Sequence, residues 1–182
     1  KPYKTSWHAY NATRSPESLT IPTENVLNPA EGTVELTIIP QNNYSGIAQI
    51  HFEANAGTTN INQIFIWNDY GYWRAGLIDK VGVGRRIDWT YNGQQSVPTR
   101  LAITWKNCNS GEANAIIKVY QDGAPKGTIA NVKIDMDPFT ICAIGRRATF
   151  LGLIGNALYD DLRISNIARS DDEIAEAYAS GK

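Results

Sequence analysis

Soft, basic and uniformly apolar stretches are scarce in this sequence. Two cysteines and one methionine among 182 residues argue against redox or soft-metal chemistry. Seventeen lysines and arginines against eighteen aspartates and glutamates leave a net charge of -1, and no long basic run occurs. A general nucleic-acid surface needs clustered cations to displace counterions, so nucleic acid is not an expected partner. No apolar run approaches the roughly 20 residues of a bilayer-spanning helix, so membrane insertion by such a helix is not expected. The chain begins at Lys1 with neither an initiator methionine nor an apolar leader core, as expected of a mature product or a piece of a larger multidomain or multimeric protein. Cys108 lies in the polar turn KNCNSG and Cys142 in ICAIGR. Spacing leaves their pairing open, although two lone cysteines more often stay reduced.

Hydrophobic content of 42% and charged content of 19% describe one globular domain over 1–182 with enough chain for a core of its own. Tyr, Trp, Thr, Ile and Asn favour strands and turns, and period-2 alternation locates them. In GTVELTIIP (32–40) Val34, Leu36 and Ile38 oppose Thr33, Glu35 and Thr37, which predicts a half-buried strand. IAQIHF (47–52) places Ala48, Ile50 and Phe52 inward, with Gln49 and His51 toward solvent. QIFIW (63–67) is apolar on both faces and predicts a central strand. NDYG then predicts a hairpin loop into YWRAGLI (72–78). RRIDWTY (85–91) and TRLAITW (99–105) alternate again, and 115–130 reads as two strands joined at Asp122-Gly123. FTICAIG and LYDDLRIS complete the series. The tail departs from it: SDDEIAEAYASG (170–181) carries a capping box at Ser170 and Glu173, with Ile174 and Tyr178 one turn apart and Gly181 as terminator, which predicts a short helix.

Four stretches in order, EGTVELTIIP, TRLAITWKN, IKVYQDGAPKGT and ATFLGLIGNALYDDLRISNIARSDDEIAEAYASG, resemble laminin-G-like, concanavalin A-type jelly-roll domains. The resemblance spans 31–180. It implies an all-β, concanavalin A-like β-sandwich jelly roll of two antiparallel sheets with a short C-terminal helix. It further implies a lectin-like role like that of bacterial and phage carbohydrate-binding modules, in a secreted or virion-associated protein such as a phage tail component. Some glycosidases of this fold carry Glu-x-Asp-x-x-Glu on one strand, where alternation aims the carboxylates into one cleft. That pattern is absent, as are a Gly-x-Ser-x-Gly elbow near His8 or His51 and a phosphate loop. The expectation is a binding domain without catalytic residues. Such domains often hold structural calcium near the closing strand, where Asp160 and Asp161 are the candidate ligands. Alternation aims Asp160 to the apolar side with Leu162 and Ile164. A buried carboxylate there needs a metal or the amides of a neighbouring loop.

The residues that invite a ligand are WNDYGYWR (67–74) and TYNGQQS (90–96). A sugar offers an apolar C–H face to an aromatic platform and a rim of hydroxyls to Asn, Asp, Gln and Arg. Trp67, Asn68, Asp69, Tyr70, Tyr72, Trp73, Arg74, Tyr91 and Asn92 supply both kinds of group, for a polysaccharide or cell-surface glycan. For any single ring, hairpin packing is the competing explanation. Should Arg85-Arg86 and Arg146-Arg147 converge beside Arg74, the patch would suit an anionic glycan. The alternatives are a protein–protein assembly domain of a surface or phage tail protein, which needs a broad apolar patch, and a hydrolase, which needs two facing carboxylates.

Overall fold

A computed structural model describes residues 10–11, 19–21, 23–24, 26–41, 48–57, 61–148 and 155–181. These contain twelve strands and one helix: β1 (Tyr10–Asn11), β2 (Leu19–Ile21), β3 (Gly32–Pro40), β4 (Gln49–Asn55), β5 (Gln63–Asp69), β6 (Tyr72–Ile78), β7 (Gly84–Thr90), β8 (Thr99–Lys106), β9 (Ala115–Gln121), β10 (Ala124–Val132), β11 (Ile141–Ile144), β12 (Ala157–Ser165) and α1 (Asp171–Ala179). The first sheet has the order β1-β12-β3-β8-β9-β10 and the second β2-β11-β4-β5-β6-β7. All neighbouring strands run antiparallel, so the expected two-sheet sandwich with a closing helix is what forms.

Alternation explains the core. Val34, Leu36, Ile38, Leu101, Ile103 and Trp105 from the first sheet meet Phe52, Ile64, Ile66, Trp73 and Leu77 from the second in one buried cluster. Two hairpins use left-handed tips that match the right-handed twist of their strands: Tyr70-Gly71, at φ 44 and 85, and Asp122-Gly123, at φ 52 and 77. At the open edge a Cβ on Gly127 would stand 2.6 Å from Ile87 Cγ2, so glycine there lets β10 close onto β7. Both cysteines are buried and free. Burial pushes the Cys108 thiol up to about 12 and that of Cys142 well above its ordinary value.

The outer face of the first sheet is occupied by α1. Ile174 packs with Ala102 and Tyr120, and the capping box is closed by Ser170 and Glu173. Ala177, rather than Tyr178, is the second buried helix residue, and Tyr178 is half-exposed. Beneath the helix Glu35 binds Arg100 at 2.9 Å and also Arg169. The polar, aromatic residues of interest lie across the molecule, on the second sheet.

Candidate functional site

Register decides which of the expected ligand residues stand together. Across β5, β6 and β7, Trp67 pairs with Arg74 and Arg74 with Asp88, while Asp69 pairs with Tyr72 and Tyr72 with Thr90. Paired residues share a face, so Trp67, Asp69, Tyr72, Arg74, Asp88 and Thr90 all line the outer side of the second sheet. Phe65 pairs with Gly76 and Gly76 with Arg86 in the next row. Tyr72 is 47% exposed and Tyr70, at the hairpin tip, 73%.

Charges alternate along this face. Arg74 Nη1 lies 2.7 Å from Asp69 Oδ2, and its Nε is 3.6 Å from Asp88 Oδ2. Arg86 Nε takes the other side of Asp88 at 3.2 Å. Alongside, Arg147 Nε meets Glu53 Oε2 at 3.5 Å and its guanidinium lies 5.6 Å from the centre of the Trp67 ring. Glu53 is fully buried and also accepts from the Ala148 amide and Asn55 Nδ2. Burial raises its pKa, opposed chiefly by the Arg147 charge. Arg86 and Arg147 do approach the expected patch, but each guanidinium carries a carboxylate. Arg85 instead lies opposite Leu77 and donates to Gly84 O.

Other expected ligand residues are engaged within the fold, Trp73 and Asn68 buried and Asn92 exposed. Trp73 is fully buried, packed against His51 at 5.4 Å and Tyr91 at 4.7 Å between ring centres, because its parity on β6 is that of Ala75 and Leu77. Asn68 is buried and accepts from His51 Nε2 at 2.5 Å. Asn92 accepts from Gln121 Nε2 at 2.7 Å, and Gln121 Oε1 takes the Trp89 indole N–H. Trp67 is half-buried and its ring already has Phe65 at 4.4 Å, so it props Arg147 rather than offering a free platform. Tyr72 and Tyr70 are the rings left open.

His51 overturns its solvent-facing expectation. A bulge between Ile50 and Phe52 sets Ile50 opposite Trp67 and Phe52 opposite Ile66, which turns Ile50 to the outer face and His51 inside. The imidazole is 1% exposed. Asn68 Oδ1 only accepts, so Nε2 carries the proton, and Nδ1 accepts from Tyr159 Oη at 3.0 Å. The ring is thus neutral, and burial lowers its pKa from 6.5 to about 4 despite the Asn68 bond. A depressed cation pKa makes the unfolded chain bind the proton first. Stability is therefore complete above pH 6.5 and lost as pH falls toward 4. Urea midpoints are expected to record a loss of roughly 2 kcal/mol between pH 6.5 and about 5, a slope that His51→Gln abolishes. An unchanged midpoint over that window would contradict the burial of a neutral imidazole.

Asp160 is likewise misplaced by simple alternation. The β3–β12 register shifts between Asp160 and Arg163, with Asp161 at φ 54, so Asp160 is exposed. Its carboxylate accepts from the Asp161 amide at 2.8 Å and Asp161 pairs with Arg163 at 3.3 Å. Among the described residues no three His, Cys, Asp or Glu side chains gather to hold a metal.

Hydrogen-bonding capacity is left over in one hairpin. Among the described residues, the buried side-chain atoms without a hydrogen-bond partner are both amide atoms of Gln63, Trp67 Nε1, Asn68 Nδ2, Asp69 Oδ1, Trp73 Nε1, Arg74 Nε and Arg146 Nε. All but the last lie on β5 or β6. Asp88, Arg86, Glu53 and Arg147 were not singled out together in the sequence. RRIDWTY alternates, but only the register puts Arg86, Asp88 and Thr90 on the face that carries Arg74.

A family model described as the concanavalin A-like lectin/glucanase superfamily matches residues 14–175. No curated protein sequence matches the chain. Among solved structures, the NanB sialidase from Streptococcus pneumoniae aligns at TM-score 0.72 and 14% identity, over 94% of this chain and 27% of that one. The Ruminococcus gnavus IT-sialidase CBM40 bound to alpha2,3 sialyllactose aligns at 0.64 and 15%, over 82% and 84%. The botulinum neurotoxin type G receptor binding domain aligns at 0.62 and 10%, over 83% and 38%. At these identities the likeness is one of fold. The chain spans about a quarter of the sialidase.

Proposed function

Since the chain belongs to the concanavalin A-like lectin/glucanase superfamily, we propose that it is a non-catalytic carbohydrate-binding module of a larger, extracellular or virion-borne protein. Its glycan lies on the outer face of the second sheet. The observation that carries this reading is an exposed ring, Tyr72, set beside the Asp69–Arg74–Asp88–Arg86 row. That is an apolar platform with donors and acceptors at its rim. A neighbour of the same fold, the CBM40 domain, is itself a sugar-binding example, as its complex with sialyllactose records. Each carboxylate of this face is committed to an arginine. Glycoside hydrolysis asks instead for an acid and a second carboxylate facing one scissile bond. An assembly domain asks for a broad apolar surface, whereas this face is a charged ladder.

Tyr72→Ala is expected to weaken binding on a polysaccharide and glycan array at least tenfold, about 1.4 kcal/mol, with an unchanged unfolding midpoint. A folded protein that binds no glycan would return the domain to the assembly reading.

A further inference from the structure

The class of sugar follows from how the charges on this face are balanced, and the inference rests on the carbohydrate-binding reading above. We propose that the surface takes a neutral glycan, reading pairs of adjacent hydroxyls with the Asp69–Arg74–Asp88–Arg86 ladder. It has no net attraction for an acidic sugar.

Three guanidiniums, of Arg74, Arg86 and Arg147, face three carboxylates, of Asp69, Asp88 and Glu53. A ligand carboxylate brought to Arg74 meets Asp69 and Asp88 on either side of it, both fixed by the strand register. Repulsion from the two offsets what the single cation offers. A hydroxyl differs in kind: it donates and accepts at once. An Asp acceptor next to an Arg donor satisfies both capacities, and a second hydroxyl on the neighbouring carbon meets the next such pair. The open end of the ladder can meet such a pair, since the Asp88 and Arg86 side chains reach solvent, whereas Asp69 Oδ1 and Arg74 Nε are buried. Exposure rises along it, from 14% and 18% for the Asp69 and Arg74 side chains to 31% for Asp88 and 54% for Arg86. The sheet ends at β7, so the glycan enters across that edge and its C–H face rests on Tyr72.

The test pairs an array with a salt titration. The purified domain is offered neutral polysaccharides, polygalacturonate with its fully methyl-esterified counterpart, and sialylated oligosaccharides. The best hit is then titrated calorimetrically at about 20 mM and about 500 mM NaCl. The expected hits are neutral, with Kd changing less than about twofold between the salts. Asp88→Asn, which leaves Arg74 and Arg86 with one anion fewer, is expected to weaken the neutral ligand about tenfold. It should also introduce salt-sensitive binding of polygalacturonate. Arg86→Gln, at the exposed end, is expected to weaken the neutral ligand too, and serves if Asp88→Asn lowers the unfolding midpoint. A tenfold preference of the unaltered protein for the acid over its ester, screened by salt, overturns the inference and leaves the carbohydrate-binding reading standing. Binding to no glycan of either charge overturns that reading itself.

Discussion

Trp73→Ala is expected to destabilise the fold by roughly 3–5 kcal/mol, while Tyr72→Ala, its neighbour, changes stability by less than about 0.5 kcal/mol. The contrast comes from strand parity alone. Trp73 is fully buried in the main core cluster, against the His51 and Tyr91 rings. Truncation removes its transfer free energy and opens a cavity between two sheets whose backbone ladders resist collapse. Tyr72 points to the other side and is 47% exposed. Urea denaturation followed by far-UV circular dichroism separates the two, and Trp73→Phe should fall between them. Lost glycan binding in a fully stable Trp73→Ala protein would return Trp73 to the surface and sink the assignment.

Glu35→Ala is expected to cost a similar 3–5 kcal/mol, by a different mechanism. Glu35 is 1% exposed under α1 and holds Arg100, itself 8% exposed, and Arg169. Arg100 also donates to Ala177 O at the end of the helix. Burial lowers the Arg100 pKa, and the Glu35 charge is the first influence opposing it. Without that carboxylate a guanidinium is left buried and uncompensated, and the α1 docking it supports is weakened. Replacing Glu35 and its buried partner, Glu35→Met with Arg100→Met, is expected to recover most of the loss, because the desolvation cost of that pair disappears with its charges while Arg169 keeps contact with solvent. A single Glu35→Ala variant within about 1 kcal/mol of the parent in urea would show that the network contributes little.

Where one residue's chemistry sets its neighbours' parity, reading along the chain sufficed. The strand 32–40, the Asp122-Gly123 turn and the Ser170–Glu173 capping box all appear where alternation and local hydrogen bonding put them. Local signals are short-ranged, so they survive translation into three dimensions. The failures share a cause as well. His51 and Asp160 both sit beside register shifts, and a single extra residue reverses every inside–outside assignment near it. Nothing in IAQIHF or LYDDLRI announces that residue.

The candidate site shows the same division. That WNDYGYWR combines rings with polar groups was legible. Which ring reaches solvent was not, because burial depends on the facing sheet and on the connection carrying Arg147. The sequence by itself determined an all-β sandwich, its hairpins and a helix, since periodicity and capping act over a few residues. Only the tertiary structure decided that Asp69, Arg74, Asp88 and Arg86 form one charge-balanced row beside Tyr72. Cross-strand register joins residues up to 19 positions apart, and no local pattern encodes it.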